Sequence, residues 1–295
     1  MDHHPQVTGL SLTVIDNFQP LSLAFGLARV SRNEAMTTGH YLQCASLSKT
    51  VAAAFAIEYF SARNIPMTTS VNSLLERYGS EWKIEVNPKL SLPRESSNNV
   101  NLSMLVNHTA LGMHYVYGIP LDRYVPTPGE LVSGKFADTY NYQYLYLERV
   151  PGTKFSYSGG GFVVLQHLIE LMEKDTIDRI TRSFLDQSGL EDFTFVQLNS
   201  PLTAIHAYGH VTPSKEVNPQ LAFPPFAAGG LCTTNSLSRF LIHLAIAYQR
   251  REGSGGIRHE TARLMLGESS LLDLGSLNFM GAKVISLSLL SNPPV

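Results

Sequence analysis

The chain has 295 residues, of which 44% are hydrophobic and 16% are charged, and its formal net charge is −2. A chain of this length and composition can bury a sizeable core, as one large domain or as two smaller ones. The charge balance gives no electrostatic reason to expect nucleic acid or an anionic membrane as partner, whereas a small neutral or anionic molecule fits it. The sequence carries no signal for a particular oligomeric state.

Cysteine usage and the N-terminus bear on the cellular compartment. The two cysteines, Cys44 and Cys232, are too few for a disulfide framework, and the opening "MDHHPQ" lacks the basic and apolar regions of a secretory signal. No apolar run approaches the roughly 18 residues that span a bilayer. The sequence therefore predicts a protein of the reducing cytoplasm.

The first predicted elements are two strands and a helix. The segments "VTGLSLTVI" and "LSLAFGLARV" are apolar with the turn formers Asn17 and Pro20 between them, which predicts a hairpin over Val7 to Val30. The alanine-rich stretch that follows predicts a helix from Ser46 to Asn64, because Pro66 lies just beyond its end.

Further helices are predicted in the rest of the chain, while Gly118 to Val150 shows no clean period. These helices are "LSMLVNH" with a cap at Asn101 or Ser103, Gly161 to Lys174, "IDRITRSFLDQSG" ending at Gly189, and a segment from a cap at Thr234 or Asn235 to about Arg250.

This order of elements predicts an α/β (α+β) fold in which an antiparallel sheet is flanked by helices and carries an all-helical insertion. The expected division is an N-terminal part of the α/β domain at 1–64, a mainly helical insertion at 65–219, an incomplete return to the α/β domain at 220–283, and an atypical tail at 284–295.

The chemistry-bearing stretch is "CASLSKTVAAAFAIEYF", which sets Ser46 one turn ahead of Lys49. A serine hydroxyl is a weak nucleophile and needs a base or a cation nearby, and residues three apart on a helix share a face. The helix N-terminus favours developing negative charge, and a free Ser46 N–H there could form half of an oxyanion hole. The alternative is a capping serine with a solvated lysine, since Ser80 and Lys83 have the same spacing.

A second chemical group lies far along the chain, where Tyr157 opens the glycine-rich turn "YSGGG" ahead of an apolar helix. Glycines allow a close backbone approach and positive φ, which would expose the tyrosine at a cleft. A tyrosine beside a cation such as Lys49 could serve as a general base. The alternative is a tyrosine that packs over a helix start.

Five segments occurring in order resemble the serine β-lactamase and penicillin-binding-protein superfamily, specifically the class C β-lactamase-related hydrolases and transesterases. They are "ASLSKT" at Ala45 to Thr50, "LVNHTALG" at Leu105 to Gly112, "YSGGGF" at Tyr157 to Phe162, "SFLDQSGLEDFTF" at Ser183 to Phe195, and "AAGGLCTTNSLSRFL" at Ala227 to Leu241.

The resemblance implies a β-lactamase/transpeptidase-like fold with the site between the α/β domain and the insertion. It implies Ser46 as the acylated nucleophile, Lys49 as its activating cation and Tyr157 as the base. The substrate-binding residues that it suggests are Gly159, His108, Gly229 and Gly230, with His108 a structural residue near the cleft. It implies no cofactor and no metal, and a small-molecule acyl compound as substrate.

The chain departs from the family pattern in two places. The tyrosine motif usually ends in asparagine where this chain has Gly159, which puts the contact with a substrate amide in doubt. No Lys-x-Gly or His-x-Gly strand follows Tyr157, and the tail from Val284 continues no family pattern. We therefore expect a truncated C-terminus that leaves the apolar face of the Ser46 helix uncovered. The chain is then expected to be poorly folded or inactive, unless Val284 to Val295 forms a replacement strand.

A metal pair at His206 and His210 is the weaker candidate site, because Gly209 and Pro213 argue against the helix that such spacing requires. The leading functional hypothesis is a serine hydrolase or acyltransferase that forms an acyl-serine intermediate with an ester, a thioester or a small amide. The first alternative is an inactive truncated homologue that retains a binding pocket. The second is a D-stereospecific peptidase or penicillin binder.

Overall fold

The computed structural model describes residues 7–114, 118–195, 205–212, 214–217 and 221–266. The helices are α1 Ser48–Ala62, α2 Val71–Arg77, α3 Leu102–Val106, α4 Pro128–Val132, α5 Ala137–Tyr140, α6 Gly160–Glu173, α7 Ile177–Gln187, α8 Thr234–Gln249 and α9 His259–Leu266. The strands are β1 Gly9–Asp16, β2 Gln19–Arg29, β3 Glu34–Ala35, β4 Leu42–Gln43, β5 Glu85–Val86, β6 Ile119–Pro120, β7 Tyr146–Leu147, β8 Phe193–Thr194, β9 Gly209–Thr212, β10 Lys215–Val217, β11 Leu221–Ala222 and β12 Leu231–Cys232.

The predicted N-terminal hairpin is confirmed. Strands β1 and β2 pair antiparallel with Leu12 opposite Leu23, and β3 joins the outer side of β2. The connection is a two-residue turn in which Asn17 has φ 47° and Phe18 has φ 61°. Positive φ at both central residues matches the twist of the flanking strands and closes the hairpin tightly.

The two faces of this hairpin differ in polarity. On the inner face the hydroxyls of Ser11 and Thr13 each lie 3.0 Å from the Thr234 hydroxyl at the start of α8. The outer face carries apolar side chains, which are exposed in the part of the chain that the structure describes: Leu10, Leu12, Val14, Leu21, Leu23 and Phe25.

The core is built around α1, which is apolar on nearly all sides. Its buried residues include Val51, Phe55 and Phe60, so the expectation that the apolar face of this helix is uncovered is wrong; the uncovered apolar face belongs to the hairpin. A helix that is hydrophobic all round is stable only when other elements enclose it.

A π-helical turn at Pro225–Gly229 is one of the elements that enclose α1. Its Phe226 is fully buried, with its ring centroid 6.1 Å from that of Phe55 on α1 and 5.3 Å from that of Phe195. Directly after this turn, β12 pairs with β4 on one side and with β8 on the other. Residues distant in sequence are thereby joined beside the first turn of α1.

Most predicted helices are present with shifted ends. Ser46 lies in a 3₁₀ turn, Ala45–Leu47, and the α-helix itself begins only at Ser48. The cap of α8 is Thr233, which accepts a hydrogen bond from the Ser236 N–H, rather than Thr234 or Asn235. Of the two predicted caps of α3, Asn101 is the one that caps the helix.

The stretch from residue 65 to 195 holds α2 to α7 with only short strands between them, and β5 pairs parallel with β7. The mixed α/β architecture with small antiparallel sheets is the predicted fold class. The division into 1–64, 65–219 and 220–283 stays a prediction, and the tail at 284–295 lies outside the described residues. Among the described helices, none has the length and apolar character needed to cross a bilayer.

Gly230 lets β12 approach α1 closely. A Cβ atom at this position would lie 2.6 Å from the Phe193 ring and 2.8 Å from the Ser48 hydroxyl oxygen. Its backbone N–H donates to that same Ser48 oxygen at 2.9 Å. Any side chain here must displace packed atoms on both sides.

We expect Gly230→Ala to lower the free energy of unfolding by about 1–3 kcal/mol, because overpacking strains both neighbours. Urea titration measures this loss. Gly209→Ala is the matched control, since a Cβ there meets no atom within 4 Å. Equal stability of the two variants would contradict the close packing of β12 against α1.

His206 makes stability depend on pH. It is buried, and neither ring nitrogen has a hydrogen-bond partner among the described residues. Burial, with smaller effects from Arg29 and His40, lowers its pKa from 6.5 to about 4. The unfolded chain therefore takes up this proton first as the pH falls.

We expect wild-type protein to lose on the order of 1–3 kcal/mol of stability through His206 as the pH falls from about 6.5 to about 4. His206→Phe removes the titrating group and should flatten this part of the curve. Unfolding midpoints measured across that range provide the comparison. Parallel curves for the two proteins would show that His206 is not the group responsible.

Candidate active site

The segment that carries Ser46 is held in a tight turn between β4 and α1. Ala45 has φ 45°, a left-handed conformation that is uncommon for a residue with a side chain. Hydrogen bonds on both sides maintain it, from the Cys44 N–H to the Gly230 carbonyl at 2.9 Å and from the Leu47 N–H to the Cys44 carbonyl at 3.0 Å. The turn leaves Ser46 exposed at the surface.

Lys49 lies beneath Ser46 and is only 5% exposed. Its Nζ donates to the Ala227 carbonyl at 2.5 Å and lies 3.4 Å from the Ser46 Oγ. Burial lowers the pKa of Lys49 from 10.5 to about 8. The solvated lysine of the capping alternative is therefore wrong for this residue, because a buried ammonium needs specific partners.

Tyr157, which lies three residues before α6, is the third side chain of this group. The Lys49 Nζ lies 4.8 Å from the centroid of the Tyr157 ring, a cation–π distance. Among the described residues, the Tyr157 hydroxyl has no hydrogen-bond partner, so Lys49 contacts Tyr157 through the face of the ring. The structure therefore brings Ser46, Lys49 and Tyr157 together.

The ring of His108 packs beside that of Tyr157. The two rings are 4.8 Å apart at an interplanar angle of 31°, and the Ser158 N–H donates to the His108 Nδ1 at 3.0 Å. Burial, and next the positive charge of Lys49, lower the pKa of His108 to about 4. His108 is thus neutral at pH 7 and packs against the tyrosine turn, while its predicted role at the cleft stays a prediction.

The glycine-rich turn works by close packing rather than by positive φ. Gly159 has φ −78°, and its carbonyl accepts hydrogen bonds from the first turn of α6. A Cβ on Gly160 would lie 2.9 Å from the Gly112 carbonyl oxygen, and one on Gly161 would lie 2.8 Å from the Leu105 carbonyl oxygen. These two glycines let the start of α6 pack directly against the backbone that leads from α3 to Gly112. The prediction of positive φ in this turn is wrong for Gly159.

The predicted substrate-binding glycines are buried. Gly159, Gly229 and Gly230 each have little exposed surface in the described structure. For Gly230 the backbone donor and acceptor are both bonded within the protein, to Ser48 and Cys44. This placement supports a structural role for Gly230 instead of the predicted contact with substrate.

Two site features escaped the sequence analysis. The Ala227 carbonyl accepts a hydrogen bond from the Lys49 amine. It is a backbone group, which every residue has, so the residue types in the sequence do not reveal this contact. The Ser48 hydroxyl, which anchors Gly230, could have been noticed as a second serine inside the Ser46 to Lys49 motif.

The other candidates do not join this site. The backbone of His206 forms an isolated parallel β-bridge with Tyr41, and His210 lies on β9. The two histidines are therefore on extended chain rather than on a helix. Among the described residues, no cluster of three or more His, Cys, Asp or Glu side chains could hold a metal. A cavity of about 480 Å³ lies beside Gly118 and Asn141, and none of the catalytic candidates lines it.

Solved structures with this fold come from several kinds of protein. The octameric penicillin-binding protein homologue from Pyrococcus abyssi is 18% identical with a TM-score of 0.66, over 93% of this chain and 59% of that one. The D-amino acid amidase from Ochrobactrum anthropi SV3 is 16% identical with a TM-score of 0.64, over 87% of this chain and 68% of that one. The β-lactamase/D-alanine carboxypeptidase from Pseudomonas syringae is 16% identical with a TM-score of 0.61, over 87% and 64%.

The chain therefore spans about 59% to 68% of the length of these three proteins. No curated protein is significantly similar to it. The family model for β-lactamase matches residues 1–277. With the shared fold and the convergence of Ser46, Lys49 and Tyr157, this match shows that the chain belongs to the β-lactamase family.

Proposed function

We propose that the protein is a serine hydrolase or acyltransferase in which Ser46 is acylated by an ester, a thioester or a small amide. The observation that carries this proposal is the exposed Ser46 hydroxyl 3.4 Å above the buried Lys49 amine. Catalytic hydrogen bonds are often long in ligand-free structures and shorten when substrate binds. A solvated lysine would have neither this burial nor this lowered pKa.

In the proposed first step, the neutral amine of Lys49 takes the Ser46 proton while the hydroxyl oxygen attacks the acyl carbon. Burial favours the neutral amine, since its pKa is lowered to about 8. This assignment differs from the one implied by the resemblance, in which Tyr157 is the base and Lys49 a cation. The assignment of Lys49 as the base rests on distances. The Lys49 Nζ lies 3.4 Å from the Ser46 Oγ, whereas it contacts Tyr157 through the face of the ring.

The other side chains position this pair. The Ala227 carbonyl fixes the Lys49 Nζ, and the neutral ring of His108 supports Tyr157 without adding a second positive charge. The free N–H of Ser46 as an oxyanion donor stays a prediction, as does the cytoplasmic location. Water or another nucleophile would then release the acyl group from Ser46.

We expect Ser46→Ala to abolish the burst of p-nitrophenol from a p-nitrophenyl ester, because the variant has no hydroxyl to acylate. Stopped-flow absorbance measures the burst, and intact mass of the protein detects the acyl adduct. Ser91→Ala, a change at an exposed loop serine, is the control and should behave as wild type. If Ser46→Ala and wild type give the same slow background rate, the protein is instead an inactive homologue that retains a pocket.

Penicillin in the same mass measurement tests the D-stereospecific alternative. The named activities of the structural neighbours include a D-amino acid amidase and a D-alanine carboxypeptidase. Gly159 stands where the family asparagine would contact a substrate amide, which supports esters and thioesters over penicillin-like substrates. A rapid penicillin adduct on Ser46, with no ester burst, would reverse that order.

The acylation rate should rise with pH and level off above about 8, since the neutral fraction of Lys49 grows through that range. Lys49→Met should lower the rate about 100-fold or more. Lys83→Met is the matched control, because Lys83 has the same spacing from a serine but is exposed. A rate that falls above pH 8 would identify Lys49 as a cation and leave the base to Tyr157.

A further inference from the structure

The two cysteine thiols face each other inside the protein. Cys44 is 7% exposed and Cys232 is 5% exposed, and their Sγ atoms are 2.8 Å apart although 188 positions separate them in sequence. They are the chain's only cysteines. Two sulfur atoms at this separation are already inside van der Waals contact.

The backbone around the pair is fixed by the sheet. Cys44 directly follows β4 and Cys232 ends β12, and the two strands pair antiparallel with Leu231 opposite Gln43. The hydrogen bond from the Cys44 N–H to the Gly230 carbonyl extends this ladder. A disulfide has an S–S length of about 2.0 Å, so the two sulfur atoms are less than about 1 Å farther apart than in a disulfide.

The same two segments already hold in place the turn Ala45–Leu47, which carries Ser46 and is called the nucleophile turn below. Ser48 accepts a hydrogen bond from the Gly230 N–H, and Lys49 donates to the Ala227 carbonyl. A covalent bond between Cys44 and Cys232 would add to these links, with the sulfurs directed into the core while Ser46 points outward.

We propose that Cys44 and Cys232 form an oxidation site, at which a small-molecule disulfide converts the two thiols into an intramolecular disulfide that ties the nucleophile turn to β12. This inference does not depend on the acylation of Ser46. A single cross-link of this kind differs from the multi-disulfide framework that the cysteine count excludes.

The chemistry balances with oxidised glutathione as the oxidant. One protein thiolate attacks the S–S bond of glutathione disulfide, forms a mixed disulfide and releases one glutathione thiolate. The second protein thiolate attacks the protein sulfur of that mixed disulfide and releases the second glutathione thiolate. The two protein sulfurs are oxidised, the oxidant is reduced to two thiols, and these take the two protons that the cysteines lose.

The reaction should be slow in the folded protein. The contact with Cys232, and then burial, raise the pKa of the Cys44 thiol well above its usual value, which lowers the fraction of reactive thiolate. Entry of glutathione also requires local opening, because both thiols are buried. A test must therefore measure the end point of the reaction as well as its rate.

The experiment is a redox titration of the full chain in buffers of reduced and oxidised glutathione, with a parallel series in low urea that opens the core. The samples are denatured in the presence of N-ethylmaleimide, which alkylates free thiols, and the mass of the intact protein is then measured by mass spectrometry. We expect two maleimide adducts under reducing conditions and none under oxidising conditions, with a cross-linked peptide joining Cys44 and Cys232. The oxidised protein should unfold at a temperature higher by on the order of 5 °C.

The variants Cys44→Ser and Cys232→Ser are the matched controls. Each keeps one thiol, so neither monomer should give a species free of both maleimide and glutathione, nor an oxidant-dependent rise in melting temperature. Two adducts at every buffer ratio, with and without urea, would overturn the proposal. So would glutathione adducts on both cysteines of the wild-type protein in place of the cross-link.

Discussion

The site depends on the burial of one amine. Lys49 lies in the first turn of a largely apolar helix, where an unpaired ammonium would be costly, and the carbonyl of Ala227 supplies a hydrogen-bond partner for it. Further contacts of the amine include the Ser46 hydroxyl, three residues earlier in the chain, and the rings of Tyr157 and Phe162, which come from a distant segment. The position of the amine therefore fixes which elements must meet beside α1.

The partner carbonyl places strict demands on the segment that contains it. The π-helical turn at Pro225–Gly229 must present Ala227 to the amine while Phe226 packs between Phe55 and Phe195. The chain must then pass α1 at Gly230, where no side chain fits. The same short stretch therefore makes both the contact with the Lys49 amine and the packing of the core, and a change in one disturbs the other.

Long-range pairing holds this arrangement together. Strand β12 connects β4, which leads into the nucleophile turn, with β8, which follows α7. On the other side of the site, α6 meets the backbone that ends at Gly112, and His108 braces Tyr157. Because these contacts span most of the described chain, the site forms only when the whole domain is folded.

Much of the local structure could be predicted from sequence because it depends on neighbouring residues. The hairpin over residues 7 to 30, the alanine-rich helix and the Asn101 cap follow from turn formers, periodicity and capping. The order of the Ser46, Tyr157 and Gly229 motifs was also sufficient to indicate the family and the fold. The shift of the α8 cap by one residue, to Thr233, reflects several adjacent residues that can all cap a helix.

Only the tertiary structure decided how these parts work together. The Ala227 carbonyl, the His108 brace and the pairing of Cys44 with Cys232 join residues distant in sequence, and no local pattern encodes such contacts. Tertiary packing also determined that α1 is enclosed while the hairpin's outer face is exposed. The sequence by itself determined the helices, the turns and the reactive groups, because these are local properties. Distances, burial and the lowered pKa of Lys49 arise only when the chain folds back on itself.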